Sequence, residues 1–479
     1  MAQKRTLKIL SYMIAPIIFL VLAFAPIDLL ISQKIFLAIF SFVISLWLLT
    51  DLPLFIPGIL GVCLSVIFGI TNVNDAFAPF ASPIIFLFLG GFLLAKALEI
   101  TGLDETLASF TLNISWARKS AKRTVFLFLL LCSVLSMWIS NTAAVAMLLP
   151  LGIGLLKRLE VNFGIKDSKF SEVLLISLAY SATIGGNITP IGSPPNIIAI
   201  GFLSNLTGTN ISFLGWMLIT APISILLFAI VYYQCIKLLP DQLENKLQET
   251  EKKTIVDYRL FSTAQKYVVA IFILTVFFWI SPSVIGLFTS AGTPLHHFLN
   301  SNISAAVVGL FFASTLFLFP INSADKILTS DHVSQIDWPS LLLFGAGLSL
   351  GKILFNTGLA QIMADTITSA AGNMSVFFIL SFLILFTIFF TELASNTASA
   401  NILIPIMIAL GETQGVNTMI VAVLFALACN SAFMLPVATP PNAIVFGTNL
   451  ISKKSLMSHG LWINITSWLI FSLILIFAI

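Results

Sequence analysis

The triplet Ser-Asn-Thr is written twice in this chain, at Ser140-Asn141-Thr142 and Ser395-Asn396-Thr397, each time inside a long apolar stretch. Each copy is followed downstream by a Pro-Pro-Asn, at Pro194-Pro195-Asn196 and Pro440-Pro441-Asn442. Hydroxyls and carboxamides both donate and accept hydrogen bonds, so such a triplet can face an anion or a small hard cation without any titrating group. A break in a helix exposes unpaired carbonyls at the end of one piece and unpaired amides at the start of the next. Carbonyls suit sodium, and a helix amino terminus, with roughly half a positive charge, suits a carboxylate. Two triplets and two breaks in the same order imply one site built from two halves, which fits a substrate with two separated carboxylates. The neighbouring residues contain no Arg or Lys, so sodium ions bound beside the substrate would supply the offsetting charge.

Those segments sit in a chain that composition assigns to a membrane. Of 479 residues, 58% are hydrophobic and 9% charged, with 43 Phe and a mean hydropathy of +1.05; a soluble domain would carry about a quarter charged residues. The expected class is an all-α polytopic membrane protein. The net charge of +3 says little, since the placement of charge along the loops carries the information, and no nucleic-acid partner is implied. Cys63, Cys132, Cys235 and Cys429 lie in or at the end of apolar spans without a ligand or pairing pattern and read as free thiols. The histidines, of which only His296 and His297 adjoin, form no metal signature, and no cofactor is expected. Lys4, Arg5 and Lys8 precede apolar residues with no cleavage site after Leu20, which reads as a retained first span.

At about 20 apolar residues per span, the candidate spans are 10–27, 35–50, 52–70, 83–98, 213–239, 267–287, 305–319, 341–355 and 461–479, with interrupted spans at 173–203 and 419–445. That makes about 11 transmembrane helices. Two further stretches are read as re-entrant hairpins with the triplets at their tips. The first, 125–156, is basic at both ends, with Arg118, Lys119, Lys122 and Arg123 before it and Lys157 and Arg158 after. The second, 376–410, is flanked by Asp365 and Glu412. Placing the amino terminus in the cytoplasm puts Lys157, Arg158, Lys326, Lys453, Lys454 and the charged linker Asp241–Arg259 inside, while the loops near Asn74, Gly208, His296, Gln361 and Gln414 contain no Lys or Arg. Lys34 is the exception, and the carboxyl terminus falls outside. The hairpins then enter from opposite sides. In addition, 83–103 aligns without gaps to 339–359, sharing Phe88/Phe344, Gly91/Gly347, Lys96/Lys352 and a terminal Thr-Gly-Leu. Similar sequences running in opposite directions make an inverted-topology repeat, an architecture of secondary transporters with a midplane site.

Glu392, beside the second triplet, is an intramembrane carboxylate read as support for the hairpin backbone, with direct ion coupling as the alternative. Lys96 and Lys352 read as snorkelling residues outside the site. Two scattered Ser and Thr sets with few His compose no catalytic triad, so the chain does not read as an enzyme.

The segments SNTAAVAMLLP, TPIGSPPNIIAIG, TELASNTASANILIP and LPVATPPNAIVFG together resemble the divalent anion/sodium symporter family, which includes sodium-dependent dicarboxylate and citrate transporters, over nearly the whole chain. The resemblance implies a homodimer in the cytoplasmic membrane whose protomers have scaffold domains (1–115 and 241–360, the latter with the linker) and transport domains (116–240 and 361–479) that move like an elevator. It implies substrate contacts at Ser140, Asn141, Thr142 and Ser193, and at Ser395, Asn396, Thr397 and Thr439. It implies sodium ligands at Ser136, Ser140, Asn141 and Gly192, and at Thr391, Ala394, Asn396 and Ala438, several through backbone carbonyls. The reading is sodium-coupled uptake of a C4 dicarboxylate; the rivals are a dicarboxylate exchanger of the same fold and a citrate or sulfate transporter.

Overall fold

Both repeat segments are helices that end in the same turn. Pro83–Thr101 and Trp338–Asn356 each reach a glycine in the left-handed region, Gly102 at φ +61° and Gly358 at φ +74°. A side chain is strained there, which accounts for the glycine of the shared Thr-Gly-Leu. A second helix follows each turn, Leu103–Leu112 and Leu359–Ala371. The matched glycines Gly91 and Gly347 face neighbouring elements: an added Cβ would lie 3.4 Å from Ile191 at Gly91 and would overlap the Asn401 side chain at Gly347.

The computed structural model describes residues 2–112, 114, 116, 120–163, 168–240, 261–289, 293–318 and 326–479. The linker Asp241–Arg259 and the basic residues Arg118 and Lys119 lie outside the described residues. Among the described residues the regular elements are all helical, with no strand. Seven helices among the described residues are long and apolar enough to cross a bilayer unaided, including Ile31–Leu49, Phe213–Lys237, Thr263–Phe288 and Lys453–Leu475. Several expected spans are built of shorter helices, such as Phe55–Ile67, Ala305–Thr315 and Thr418–Asn430. The cysteines are free thiols, buried except for half-buried Cys63.

The two expected hairpins are helix pairs with tight tips: Ala121–Ser136 with Asn141–Phe163, and Val376–Leu393 with Asn396–Thr413. The two interrupted spans are broken as anticipated, Ser168–Gly186 with Pro194–Phe202 and Thr418–Asn430 with Pro440–Phe446. In both, the Pro pair occupies the first helical turn, where the missing amide costs no intrahelical bond. The broken spans are the centre of the molecule; every residue from Val421 to Asn430 is buried. The halves interlock reciprocally. Pro194–Phe202 packs on Asn396–Thr413 and Thr418–Asn430, while Pro440–Phe446 packs on Asn141–Phe163 and Ser168–Gly186. Apolar side chains left outward, such as Phe378, Phe382 and Phe386 at four-residue spacing, form one face of a hairpin arm.

Candidate functional site

Each break is held open by the Asn of its Pro-Pro-Asn. Asn196 Nδ2 donates to the carbonyls of Gly186 (2.9 Å) and Thr189 (2.8 Å). Asn442 Nδ2 donates to those of Ala432 and Leu435, both at 3.1 Å. The accepting carbonyls stand ten and seven residues before the Asn in both halves, so one side chain ties a carbonyl at the start of the break to one within it.

The hairpin tips are held by a second matched device. Ser136 Oγ donates to Asn141 Oδ1 at 2.6 Å, and Thr391 Oγ1 donates to Asn396 Oδ1 at 2.8 Å. Both donors are fully buried, and Thr391 also reaches the Cys429 carbonyl at 2.7 Å. The hydroxyl thus fixes the amide of the triplet Asn five residues on. Glycine is needed where the first tip meets the first break: a Cβ on Gly186 would overlap Asn141 Oδ1 and stand 2.9 Å from the Gly192 carbonyl oxygen.

All four tips line one cavity of about 500 Å³. Its wall contains Ser140, Asn141 and Thr142, Gly192 and Ser193, Ala394 to Thr397, and Ala438 and Thr439. Of the expected site residues only Ser136 and Thr391 stand behind the wall, each bonded to the triplet Asn in front of it. The helices Asn141–Phe163 and Asn396–Thr413 begin at the wall, so both present amino-terminal amides to the cavity. The repeat helices complete the enclosure, with Phe88, Gly91, Phe92 and Ala95 from one and Asp337 and Ser340 from the start of the other. Among the described residues no Lys, Arg or His lines the cavity; its charged residues are Asp337 and Glu392. Lys96 pairs with Glu99 at 3.0 Å and Lys352 lies 3.6 Å from Asp75, both off the cavity wall.

Several polar residues with structural weight were not singled out from sequence. Asn430, at the end of the helix before the second break, reaches across to the first: its Nδ2 donates to Asn187 Oδ1 (2.8 Å) and Asn196 Oδ1 (2.9 Å), and its Oδ1 accepts from Ser193 Oγ (2.6 Å). The expected substrate contact Ser193 is therefore engaged with the other half. Tyr180 ties the halves again, its hydroxyl donating to the carbonyls of Phe433 (2.8 Å) and Leu456 (3.1 Å). The signal for both was an uncharged polar group inside an apolar run, which has to find a partner within the protein. Glu392 accepts from the Met434 amide (2.7 Å), the Leu435 amide (2.9 Å) and Asn464 Nδ2 (2.7 Å). The carboxylate therefore supports the backbone of the second break, whereas the sequence reading places that support in the hairpin.

Comparison with known proteins agrees with this architecture. The chain is 32% identical to the sodium-dependent dicarboxylate transporter SdcS of Staphylococcus saprophyticus, over 98% of this chain and 91% of the relative. It is 31% identical to SdcS of Staphylococcus aureus, over 98% and 90%. Among solved structures, the YdaH transporter of Alcanivorax borkumensis superposes with a TM-score of 0.54 at 14% identity, covering 86% of this chain and 88% of that one. MtrF of Neisseria gonorrhoeae gives 0.50 at 13% identity, covering 87% and 83%. At such identities the likeness is one of fold. The profile of the sodium:sulfate symporter transmembrane region matches residues 5–478, and the chain belongs to that family of membrane transporters.

Proposed function

We propose that this protein couples sodium entry to uptake of a C4 dicarboxylate such as succinate, fumarate or malate. The observation that carries the reading is the cavity: two Ser-Asn-Thr tips and two helix breaks converge on it, and no cationic side chain among the described residues lines it. Neutral donors and helix ends can orient two carboxylates, but a dianion without a counter-charge in a mostly buried site is costly. Sodium bound beside it removes that cost, which makes substrate and ion binding interdependent. Ser140, Asn141, Thr142 and Ser193, with Ser395, Asn396, Thr397 and Thr439, would hold the substrate. Ser136, Ser140, Asn141 and Gly192, with Thr391, Ala394, Asn396 and Ala438, would hold sodium, the two hydroxyls turning from the Asn oxygens to the ions. Relatives named as sodium-dependent dicarboxylate transporters support the same pairing of ion and substrate.

The loop charges favour an amino terminus in the cytoplasm and a carboxyl terminus outside. In that orientation the start of Trp338–Asn356, with Asp337 and Ser340 in the cavity wall, faces the cytoplasm. We read the hairpins and broken spans as a transport domain that carries the cavity past the scaffold in an elevator movement, within a homodimer in the cytoplasmic membrane.

Uptake of radiolabelled succinate into proteoliposomes tests the reading. A sodium gradient is expected to drive it, and Asn141→Ala or Asn396→Ala to abolish it in protein that still folds. Counterflow that ignores sodium would instead mark an exchanger, competition by sulfate or citrate that exceeds succinate would move the substrate class, and uptake surviving both Asn changes would remove the site assignment.

A further inference from the structure

The two half-sites share a backbone design and differ in charge. Met137 and Glu392 occupy the same place, four residues before the triplet Asn, and Thr189 and Leu435 the same place, seven before the Asn of Pro-Pro-Asn. In each half this pair ties hairpin tip to break. In the first, Thr189 Oγ1 donates to the Met137 carbonyl, a contact between neutral groups. In the second, the Leu435 amide donates to the Glu392 carboxylate, which also takes the Met434 amide and Asn464 Nδ2. Glu392 is 3% exposed, stands in the cavity wall, and has no Lys, Arg or His at ion-pair distance among the described residues. Met434, Leu435 and Asn464 bond it through neutral groups, so they hold the carboxylate in place without cancelling its charge. The mechanical tie needs no charge, as the first half demonstrates with a hydroxyl.

We infer that Glu392 is a positioning residue whose charge makes the second half-site the tighter of two cation sites, so that a sodium ion at Thr391, Ala394, Asn396 and Ala438 binds before one at Ser136, Ser140, Asn141 and Gly192. The inference rests on the sodium reading proposed above. Thr391 and Ala394 flank Glu392 in the chain, and a unit charge held within about a helical turn of an ion, behind partly buried surface, changes its affinity roughly tenfold. The buried carboxylate needs a counter-charge and the ion needs an anion. The first half-site, with Met137, offers only oxygens and dipoles.

Sodium titration of the full-length protein in lipid nanodiscs, without substrate and with choline holding ionic strength constant, tests this through the fluorescence of Trp138 in the cavity wall. Wild-type protein is expected to give a tight and a weaker phase. Thr391→Ala and Glu392→Gln should both weaken the tight phase, Glu392→Gln by about tenfold, while Ser136→Ala weakens only the other. Met137→Glu, which places a carboxylate at the matched position, should tighten the weaker phase and serves where Glu392→Gln does not fold. If Thr391→Ala and Ser136→Ala shift the titration while Glu392→Gln and Met137→Glu leave it within twofold, the charge asymmetry is wrong and the sodium sites stand. If none of the four changes shifts it, the sodium reading itself fails.

Discussion

Replacing the Asn of each Pro-Pro-Asn by Ala measures how strongly the breaks are held, and the structure gives the two changes different sizes. Asn442→Ala strands the buried carbonyl of Ala432 and removes one of two bonds to the half-buried carbonyl of Leu435, which keeps the Ala438 amide. A buried acceptor left without a donor costs about 1–3 kcal/mol and a lost bond about 1 kcal/mol, so the change costs roughly 2–4 kcal/mol. Asn196→Ala likewise strands the Gly186 carbonyl and removes one of two bonds to that of Thr189, which keeps the Gly192 amide, and it also removes an acceptor for Asn430 Nδ2. One further buried bond of about 1 kcal/mol puts its cost near 3–5 kcal/mol. Asn442 Oδ1, by contrast, has no hydrogen-bond partner among the described residues, so nothing on that side is lost. Thermal unfolding of both purified variants in the same detergent should place Asn196→Ala below Asn442→Ala, and both well below wild type. Equal melting points close to wild type would show that the breaks are held by packing alone. A reversed order would mean that the Asn430 bridge contributes nothing.

Two more changes follow from close contacts. Gly186→Ala drives a methyl into Asn141 Oδ1 and towards the Gly192 carbonyl, so the sodium concentration for half-maximal uptake should rise at least several-fold; the matched second-half position already holds an alanine, and Ala432→Gly should change uptake little. Tyr180→Phe removes the hydroxyl that bonds the Phe433 and Leu456 carbonyls and should lower unfolding stability by about 1–3 kcal/mol; a variant as stable as wild type would show that the tyrosine bridge is dispensable.

The sequence displayed the breaks more readily than what holds them. A Ser-Asn-Thr in mid-membrane and a Pro pair in an apolar run are both expensive in lipid, and that expense is what placed the hairpin tips and helix interruptions. The Thr-Gly-Leu repeat was visible as a repetition, while its job as a left-handed turn required the φ angles of Gly102 and Gly358. The helices after those turns, Leu103–Leu112 and Leu359–Ala371, were missed because they are short and mix polar with apolar residues, giving no apolar run to read. The Asn430 bridge was beyond reach for another reason. Asn430 and Asn196 lie 234 residues apart, and nothing local in either segment says that the two breaks meet.

That bridge also constrains how the site can work. Ser193 and Asn196 in one half and Asn430 in the other share a buried network, and each post-break helix packs on the opposite half's hairpin arm. A tip cannot shift far without moving its counterpart, because a half-broken buried network costs more than an intact one. The four tips therefore behave as one rigid cradle. Towards the repeat helices the contacts are of another kind: Gly91 lies against Ile191, Gly351 against Phe202 and Gly347 against Asn401, where the absence of a Cβ lets the surfaces approach and no side-chain hydrogen bond links them. A cradle bonded within itself and only packed against its surroundings can carry a bound ion and anion as a unit, and the charge of Glu392 inside that unit would travel with them.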